Sequence, residues 1–235
     1  IFEDTDIRTA TAGALAGIFG ATGQTCIAGS RLLVQRGIYD AVVAELTQRA
    51  GTIRLGDPSD PATEMGTVAN QPQFDRILDF ISKAKSDGAR LVTGGERATG
   101  PGLDRGLFIK PTIFADVCND MMLARHEVFG PVLSIIPFDT EEEAVAIGND
   151  TDFGLASGIW TRDINRAHRV SRALKAGMVW VNTYRAVAAQ TPFGGVKDSG
   201  FGRERGEEGL REFVAPKNVM INFSEADRDP FAVQT

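Results

Sequence analysis

The sequence predicts an α/β fold with a mainly parallel sheet. Short apolar runs typical of buried strands alternate along the chain with longer segments whose apolar residues recur at helical spacing. The clearest of these helices is predicted over residues 71–86, where Phe74, Ile77 and Ile81 share one face. A chain of 235 residues, 43% of them hydrophobic, is long enough to bury a substantial core.

The predicted helices rest on apolar spacing and on residues that favour a helix start. Asp4 and Asp6 are candidate caps for the first helix, in which Ala10, Ala14 and Ile18 recur at helical spacing. In the second helix, Val42, Val43 and Leu46 lie on one face. Helices are predicted over residues 5–19, 39–50, 71–86, 141–149 and 164–174.

The predicted strands are short apolar runs bounded by turn residues. A Pro/Asp/Gly cluster at 56–61 predicts a turn, and residues 94–106 read as an exposed glycine-rich loop. The polar tail, residues 224–235, is expected to be loosely held. Strands are predicted over residues 30–35, 89–92, 108–114, 132–138, 156–160, 178–182 and 217–223.

Composition excludes several classes of function. The net charge is −6 with acidic residues spread along the chain, and no basic stripe suggests nucleic-acid binding. Cys26 and Cys118 form no CxxC pair and have no histidine at ligand spacing, so no metal site is expected. Two cysteines in a domain with a large hydrophobic core favour a reducing compartment. No apolar run is long enough to span a membrane. The N-terminus resembles no targeting peptide, and the chain reads as though cut from something longer.

Cys26 is the most informative residue. It lies between Gly23 and Gly29, which lack a Cβ and let a backbone turn tightly and approach a bound group. A nucleophilic thiol needs that access. The spacing alone also fits a buried, unreactive cysteine, so both readings stay open at this point.

The segment from His126 to Val132 is the second informative stretch. In a strand-like segment Glu127 and Phe129 point to the same side, so one could accept hydrogen bonds from sugar hydroxyls while the other lies against a planar ring. A surface glutamate and a core phenylalanine fit the pattern as well.

Residues 191–206 are rich in glycine, but the spacing matches neither the GxxxxGK[ST] nor the GxGxxG phosphate loop. A tight loop beside a site is the better interpretation. Asn182 ends a predicted strand, where it could orient a carbonyl group or cap a loop.

The order of these motifs closely resembles the NAD(P)-dependent aldehyde dehydrogenase superfamily. Gln24-Thr25-Cys26 comes first, then Glu127-Val128-Phe129-Gly130-Pro131, then Trp180-Val181-Asn182, and then the segment from Pro192 to Gly200. Residues 149–156 match another signature. The resemblance extends from Asp4 to about Phe223.

The resemblance implies a role for each matching position. Cys26 matches the catalytic nucleophile. Glu127 matches the carboxylate that holds the nicotinamide ribose, Phe129 matches the aromatic ring beside the nicotinamide, and Gln73 falls near cofactor-contacting positions. The positions that match the substrate pocket are Thr25, Ile27, Asn182, Val187 and Phe193.

The resemblance also implies an architecture: an open, mainly parallel twisted sheet with flanking helices, plus a C-terminal bridging strand that extends a neighbouring subunit's sheet. Residues 1–20 would be the end of a missing dinucleotide-binding domain or its linker. Residues 21–205 would form the catalytic domain, and residues 206–235 the return segment and oligomerisation strand.

The implied reaction is oxidation of a small-molecule aldehyde to a carboxylic acid through a Cys26 thiohemiacetal and thioester, with NAD or NADP as cofactor. The family's general-base glutamate would precede Ile1, so this chain alone is expected not to complete turnover. A coenzyme A-acylating relative and an inactive interaction or oligomerisation fragment are the alternatives. The parent is expected to be a cytoplasmic homo-oligomer, dimer or tetramer, with no nucleic-acid or membrane partner.

Overall fold

The helices and strands of the chain alternate much as the sequence predicts. This computed structural model describes residues 1–223. The helices are α1 (Ile7–Phe19), α2 (Tyr39–Ala50), α3 (Gln71–Ser86), α4 (Met122–Arg125), α5 (Glu141–Asn149), α6 (Ile164–Ala173) and α7 (Gly206–Arg211). The strands are β1 (Arg31–Gln35), β2 (Arg90–Thr93), β3 (Thr112–Ala115), β4 (Val132–Phe138), β5 (Phe153–Gly154), β6 (Ala156–Ile159), β7 (Met178–Val181) and β8 (Val196–Lys197).

The strands form one larger sheet and two strand pairs. The larger sheet has the order β1-β4-β3-β2, in which β4 runs parallel to β1 and β3 while β2 is antiparallel to β3. Strands β6 and β7 form a parallel pair, and β5 and β8 an antiparallel one. The predicted α/β fold with a mainly parallel sheet flanked by helices is therefore confirmed.

Strand β4 lies at the centre because it can be buried on both faces. Its sequence is almost continuously apolar, and six of its seven residues are buried, which is typical of a parallel strand covered by helices. One face packs with α1 and α2 around Ile18, Leu46 and Leu133. The other face packs with α3 around Ile77 and Ile136. The first 20 residues therefore share a core with β1 and β4.

Local sequence signals account for most element boundaries. The Asp6 side chain accepts a hydrogen bond from the Thr9 amide at the start of α1, and Asn70 does the same for Gln73 at the start of α3. The strand predicted over 108–114 starts only at Thr112. Pro111 immediately precedes it and has no N–H to contribute to a sheet.

The predicted strand over 217–223 is wrong for the chain by itself: the structure assigns no strand there. A strand needs a neighbour to bond its backbone groups, and here the apolar side chains of Val219, Met220, Ile221 and Phe223 are exposed. The predicted loose tail, residues 224–235, lies outside the described residues. Among residues 1–223, no helix has the length and apolar character needed to cross a membrane.

Candidate active site

The loop before Cys26 is held against the loop that follows Phe129. Gly23 has a left-handed backbone, φ +68°, and a Cβ at this position would collide with the carbonyl group of Gly130. Only glycine allows this approach of one backbone to the other. Gly23 was expected to let the backbone approach a bound group; here it lets the loop before Cys26 contact the backbone of Gly130, next to Phe129.

Gln24 fastens the same loop to a second segment. Its side-chain Nε2 donates to the Thr67 carbonyl at 3.3 Å, and its Oε1 accepts from the Ala69 amide at 2.8 Å. After it, the Ala28 amide donates to the Thr25 carbonyl at 3.0 Å and closes a turn around the cysteine. The Cys26 side chain is left exposed on this turn. The alternative in which Cys26 is buried is therefore wrong.

Cys26 opens onto a cavity of about 460 Å³. The thiol turn, the His126–Glu127 segment and the facing strands β1 and β6 all contribute to its wall. Cys26, Ile27 and Glu127 thus border one space, large enough for a small organic molecule. The other predicted site residues are outside the set of described residues that line it: Thr25, Gln73, Phe129, Asn182, Val187 and Phe193.

Helix α3 holds the Glu127–Phe129 segment by its backbone. The Gln73 Nε2 donates to the carbonyl groups of Val128 and Phe129 at 2.8 and 2.9 Å. Arg76 donates to the Glu127 carbonyl at 3.0 Å. These bonds use the main chain and leave the side chains of Glu127 and Phe129 exposed.

The strand-like geometry predicted for this segment is wrong. Phe129 has φ +55°, a left-handed conformation that a bulky residue rarely adopts and that the surrounding contacts must support. The turn arises where Gly130 packs against the thiol loop and Gln73 holds the preceding carbonyl groups. Gln73 was expected at the cofactor, and the structure shows its amide bonded to this turn.

A cationic group closes one side of the cavity. Arg31 donates to the Asn119 side chain at 2.7 Å and to the carbonyl groups of Ile147 and Gly148 at 3.0 and 3.1 Å, at the end of α5. Burial lowers the pKa of Arg31, and the charge of nearby Arg125 lowers it further. Because arginine starts from a very high pKa, it remains a cation. Sequence reasoning missed Arg31, although it lies only five residues after Cys26.

The glycine-rich segment forms another wall of the cavity through Asp198 and Ser199. The Ser199 hydroxyl accepts a hydrogen bond from the Gly154 amide at 3.0 Å, and Lys197 donates to the carbonyl groups of Asn149 and Thr151. These bonds hold a tight loop beside the site, as the glycine content predicts.

Asn182 has a structural role in the described contacts. Its Oδ1 accepts a hydrogen bond from the Thr161 amide at 3.0 Å, and its Nδ2 donates one to the Thr161 carbonyl at 2.9 Å. The Asn182 side chain thus continues the hydrogen bonding between β6 and β7 beyond the ends of the two strands. Val187 is exposed on the loop that follows. Phe193 pairs with Glu204 through two backbone hydrogen bonds.

The exposed side chains of Glu127 and Phe129 offer groups that could contact an organic molecule. Within the described part of the chain, no group of three or more His, Cys, Asp or Glu side chains is placed to hold a metal. The exposed Glu127 carboxylate is an acceptor for hydroxyl groups, and the neighbouring Phe129 ring offers an apolar face.

Comparison with known proteins decides the family. The model of the aldehyde dehydrogenase family matches residues 1–219 of this chain. The chain belongs to the aldehyde dehydrogenase family.

Betaine aldehyde dehydrogenases are among the most similar relatives. The chain is 46% identical over 227 residues to the enzyme of Cereibacter sphaeroides, covering 97% of this chain and 46% of the relative. It is 45% identical to the enzyme of Brucella anthropi, with 97% and 47% covered. The chain therefore spans about half the length of the curated relatives it matches.

Solved structures of aldehyde dehydrogenases share the fold. A point mutant of the Staphylococcus aureus betaine aldehyde dehydrogenase, in complex with NAD⁺ and with a BME-modified cysteine, has a TM-score of 0.96 and 39% identity over 98% of this chain and 47% of its own. A mutant aldehyde dehydrogenase of Bacillus cereus has a TM-score of 0.92 and 42% identity over 95% of this chain and 45% of its own.

Proposed function

We propose that the protein containing this chain oxidises an aldehyde to a carboxylic acid, with NAD or NADP as cofactor and Cys26 as nucleophile. The observation that carries the proposal is the juxtaposition at the cavity. The exposed residues Cys26 and Glu127 border one space, and their loops touch at Gly23 and Gly130. Family membership supports the reaction class.

Cys26 performs the covalent step in this proposal. Its thiolate attacks the aldehyde carbon, forming a C–S bond and an alkoxide. The Cys26 backbone N–H is the donor that the loop itself offers to this oxyanion. After loss of hydride the carbon is a thioester, and water releases the carboxylic acid and restores the thiol.

Glu127 and Phe129 are proposed to position the cofactor. When bound, NAD(P) supplies the acceptor for the hydride that leaves the substrate carbon. Glu127 would accept hydrogen bonds from ribose hydroxyls, and Phe129 would lie against the nicotinamide. Gln73 and Arg76 support these two side chains by fixing the backbone from which they project.

The chain alone is proposed to be incomplete for turnover. The family resemblance puts the general base and most of the dinucleotide-binding domain before Ile1, and the relatives are about twice as long as this chain. A division into residues 21–205 as the catalytic domain and 206–235 as the return and oligomerisation segment is part of the same proposal. Residues 1–20, expected as the end or linker of the upstream domain, share a core with β1 and β4 and so pack in the same unit as the catalytic domain.

The substrate is proposed to be a small aldehyde. The names of the relatives make betaine aldehyde the first compound to test. The small residues around Val187 suggest that bulky and aromatic aldehydes belong in the same panel. A coenzyme A-acylating reaction remains the second candidate of this chemistry, and added coenzyme A as acyl acceptor distinguishes the two.

The exposed apolar C-terminal side chains support a homo-oligomer as the working state. Phe213, Met220 and Phe223 are each more than 85% exposed in the isolated chain, an unfavourable state for large apolar groups. We propose that residues 217–223 pair with the sheet of a second copy, in a dimer or tetramer, and that the protein works in the cytoplasm.

A chimera tests the proposal. The part of the Cereibacter sphaeroides enzyme that this chain does not match is joined to Ile1, and reduction of NAD and of NADP is followed with the aldehyde panel. Turnover is expected with the chimera and not with the chain alone. Cys26→Ala is expected to lower kcat by roughly 10³-fold or more, because it removes the nucleophile.

Cys118→Ala is the matched control, since Cys118 is also exposed but is not among the residues that line the cavity. Glu127→Gln should raise KM for the cofactor more than it raises KM for the aldehyde. Undiminished turnover by Cys26→Ala would refute the assignment of the nucleophile.

A further inference from the structure

Asp150 accepts hydrogen bonds from two neighbouring side chains at the end of α5. Its two carboxylate oxygens accept from the Arg125 guanidinium at 2.9 and 2.6 Å, and one of them also accepts from the Asn119 amide group at 2.8 Å. The Asp150 carbonyl accepts from the same two side chains, at 2.9 Å from Arg125 and 3.0 Å from Asn119. The bond from Arg125, followed by that from Asn119, lowers the pKa of the Asp150 carboxyl group, so the group is an anion at neutral pH.

The backbone around Asp150 is itself held by other segments. Lys197 donates to the carbonyl groups of the residues on either side of Asp150, at 2.7 and 2.9 Å. The side chain of the preceding residue, Asn149, donates to the Ala173 carbonyl at 2.9 Å and accepts from the Lys175 amide at 2.7 Å. Residues 149–151 are therefore tied to the end of α6 and to β8, and the Asp150 carboxylate has a defined place from which to act.

Arg125 connects this carboxylate to Glu127. It is the last residue of α4, a helix of four residues, and such a short helix has little stability of its own. The amides of Arg125 and His126 each donate to a carbonyl group one turn earlier, at 3.1 Å, and Glu127 follows at once. Because both carboxylate oxygens of Asp150 hold the Arg125 fork, this pair fixes the direction in which the chain leaves α4.

A second branch of the same network reaches the strand that follows the thiol. Asn119, which donates to Asp150, accepts a hydrogen bond from Arg31 at 2.7 Å. Arg31 begins β1, five residues after Cys26, and both Arg31 and Arg125 line the cavity. Asn119 and Asp150 therefore join the β1 side of the cavity to its α4 side.

The charges indicate why a carboxylate is needed in this network. Burial lowers the pKa of Arg31 most, the charge of Arg125 lowers it further, and the charge of Asp150 raises it. Asp152 and Asp120 also act on Arg125 through their charges, but its raised pKa is due first to the hydrogen bond with Asp150. A single exposed ion pair contributes little, whereas a bidentate pair within a network of several groups can hold a defined geometry.

We propose that Asp150 is a positioning residue for the cofactor side of the site. Through Arg125 it fixes the point at which the chain enters the Glu127 segment, and through Asn119 it ties that segment to β1. Asp150 is not among the residues that line the cavity, so it acts on the cofactor only through these neighbours. The inference rests on the proposed function, in which Glu127 accepts hydrogen bonds from the ribose hydroxyls of NAD(P).

The first measurement is amide hydrogen exchange in the chain of residues 1–235. Asp150→Asn keeps the size of the side chain, but it removes the charge and replaces one acceptor oxygen by a donor. Exchange at the Arg125 and His126 amides is expected to become faster by about fivefold or more. The Ala10 amide, which donates within α1, is the internal reference.

Asp139→Asn is the matched control. Asp139 accepts from Arg36 through both carboxylate oxygens, at 2.7 and 3.3 Å, and its side chain is 57% exposed, against 56% for Asp150. Neither Asp139 nor Arg36 lines the cavity. The control variant should leave exchange at Arg125 and His126 unchanged.

The second measurement is steady-state kinetics of the chimera. Asp150→Asn is expected to raise KM for the cofactor by about fivefold or more while KM for the aldehyde changes less than about twofold. A residue that only stabilised the fold would lower Tm without separating the two KM values. In an Arg125→Ala background, adding Asp150→Asn should change KM for the cofactor by less than about twofold, because the group through which Asp150 acts is already gone.

Arg125→Lys keeps the charge but loses the planar fork, and both measurements are made on it as well, so a failure of Asp150→Asn to fold does not end the test. Unchanged exchange at His126 in the folded variants would overturn the inference. Equal rises in the two KM values, or a full additional effect of Asp150→Asn in the Arg125→Ala background, would overturn it too. An unsubstituted chimera without turnover would refute the proposed function, whereas the exchange data, which need no reaction, would still confirm or refute the hold of Asp150 on this segment.

Discussion

Phe114 and Phe213 are the same side chain in opposite environments. Phe114 lies on β3 with no exposed surface, packed between the sheet and α3, whereas Phe213 is 87% exposed just after α7. The side chains of the central sheet pack within the chain, whereas several large apolar side chains of residues 206–223 are exposed. Under the proposed homo-oligomer, these exposed side chains would pack against a second copy.

The largest expected effect is the difference in stability between alanine variants of these two phenylalanines. Phe114→Ala removes a fully buried ring and leaves a cavity, so it should lower the free energy of unfolding by about 3–5 kcal/mol. Phe213→Ala should change it by less than about 0.5 kcal/mol in the monomeric chain. Denaturant unfolding of both variants measures the difference. A large loss for Phe213→Ala in the monomer would show that the segment packs within the chain.

The contrast between buried and exposed groups also applies to a titratable group, the Ile1 amino group. Its pKa is lowered by burial from 8.0 to about 5 in the folded chain, although the charge of Asp4 offsets part of this. Between about pH 5 and 8 the unfolded chain therefore binds more protons, and stability should rise with pH, by at most about 1.4 kcal/mol per pH unit. Unfolding measured across this range gives the slope.

Acetylation of the Ile1 amine is the control for that slope. The acetylated chain cannot titrate there, so the difference between the two chains isolates this group from all others. Identical pH profiles would mean that the amine is solvated in the folded state.

The next largest losses of stability are expected from substitutions at two glycines with left-handed backbones. Gly23→Ala should cost about 2 kcal/mol or more, because the added Cβ meets the backbone of Gly130 in addition to the strained φ. Gly88→Ala, with φ +89° and nothing within 4 Å, isolates the cost of the backbone conformation, about 1 kcal/mol. Equal losses for the two variants would argue against the contact between the Cys26 and Phe129 loops.

The smallest expected changes in stability come from substitutions of two aspartates. Asp4 accepts hydrogen bonds from the Thr161 hydroxyl and from the amides of Arg162 and Asp163. Although burial acts in the other direction, these bonds lower the pKa of its carboxyl group. Asp4→Asn should cost about 1–2 kcal/mol. Asp79→Asn, which breaks only the exposed pair with Lys83, should cost no more than about 0.5 kcal/mol, and a comparable loss would contradict the distinction.

The sequence predicts the regular parts of this fold well, because local periodicity and caps determine them. The bounds of α2, α3, α5 and β4 agree with the spacing of apolar residues. The short elements α4, α7, β5 and β8 were missed, since two to six residues carry too little periodicity. The strand at 217–223 has the right composition, yet strand pairing depends on a partner that the sequence of one chain does not reveal.

At the candidate site, the residues proposed to act in the reaction are easier to identify from the sequence than the residues that hold them in place. The motif around Cys26 and the pair Glu127 and Phe129 can be identified from the order of the motifs. The bonds from Gln73 to two carbonyl groups, the left-handed turn at Phe129 and the pairing of Asn182 with Thr161 depend on contacts between distant segments. Such contacts follow from the packed structure and leave little trace in local sequence.

The two exposed cysteines provide the most direct test of the central claim, that Cys26 is the nucleophile. The chimera is mixed with an aldehyde and NAD, quenched in acid during turnover, and digested for mass spectrometry. The account predicts an acyl group on the peptide containing Cys26 and none on the peptide containing Cys118. An acyl group on Cys118, or turnover with no acyl group on Cys26 in either the rapid or the steady phase, would contradict it.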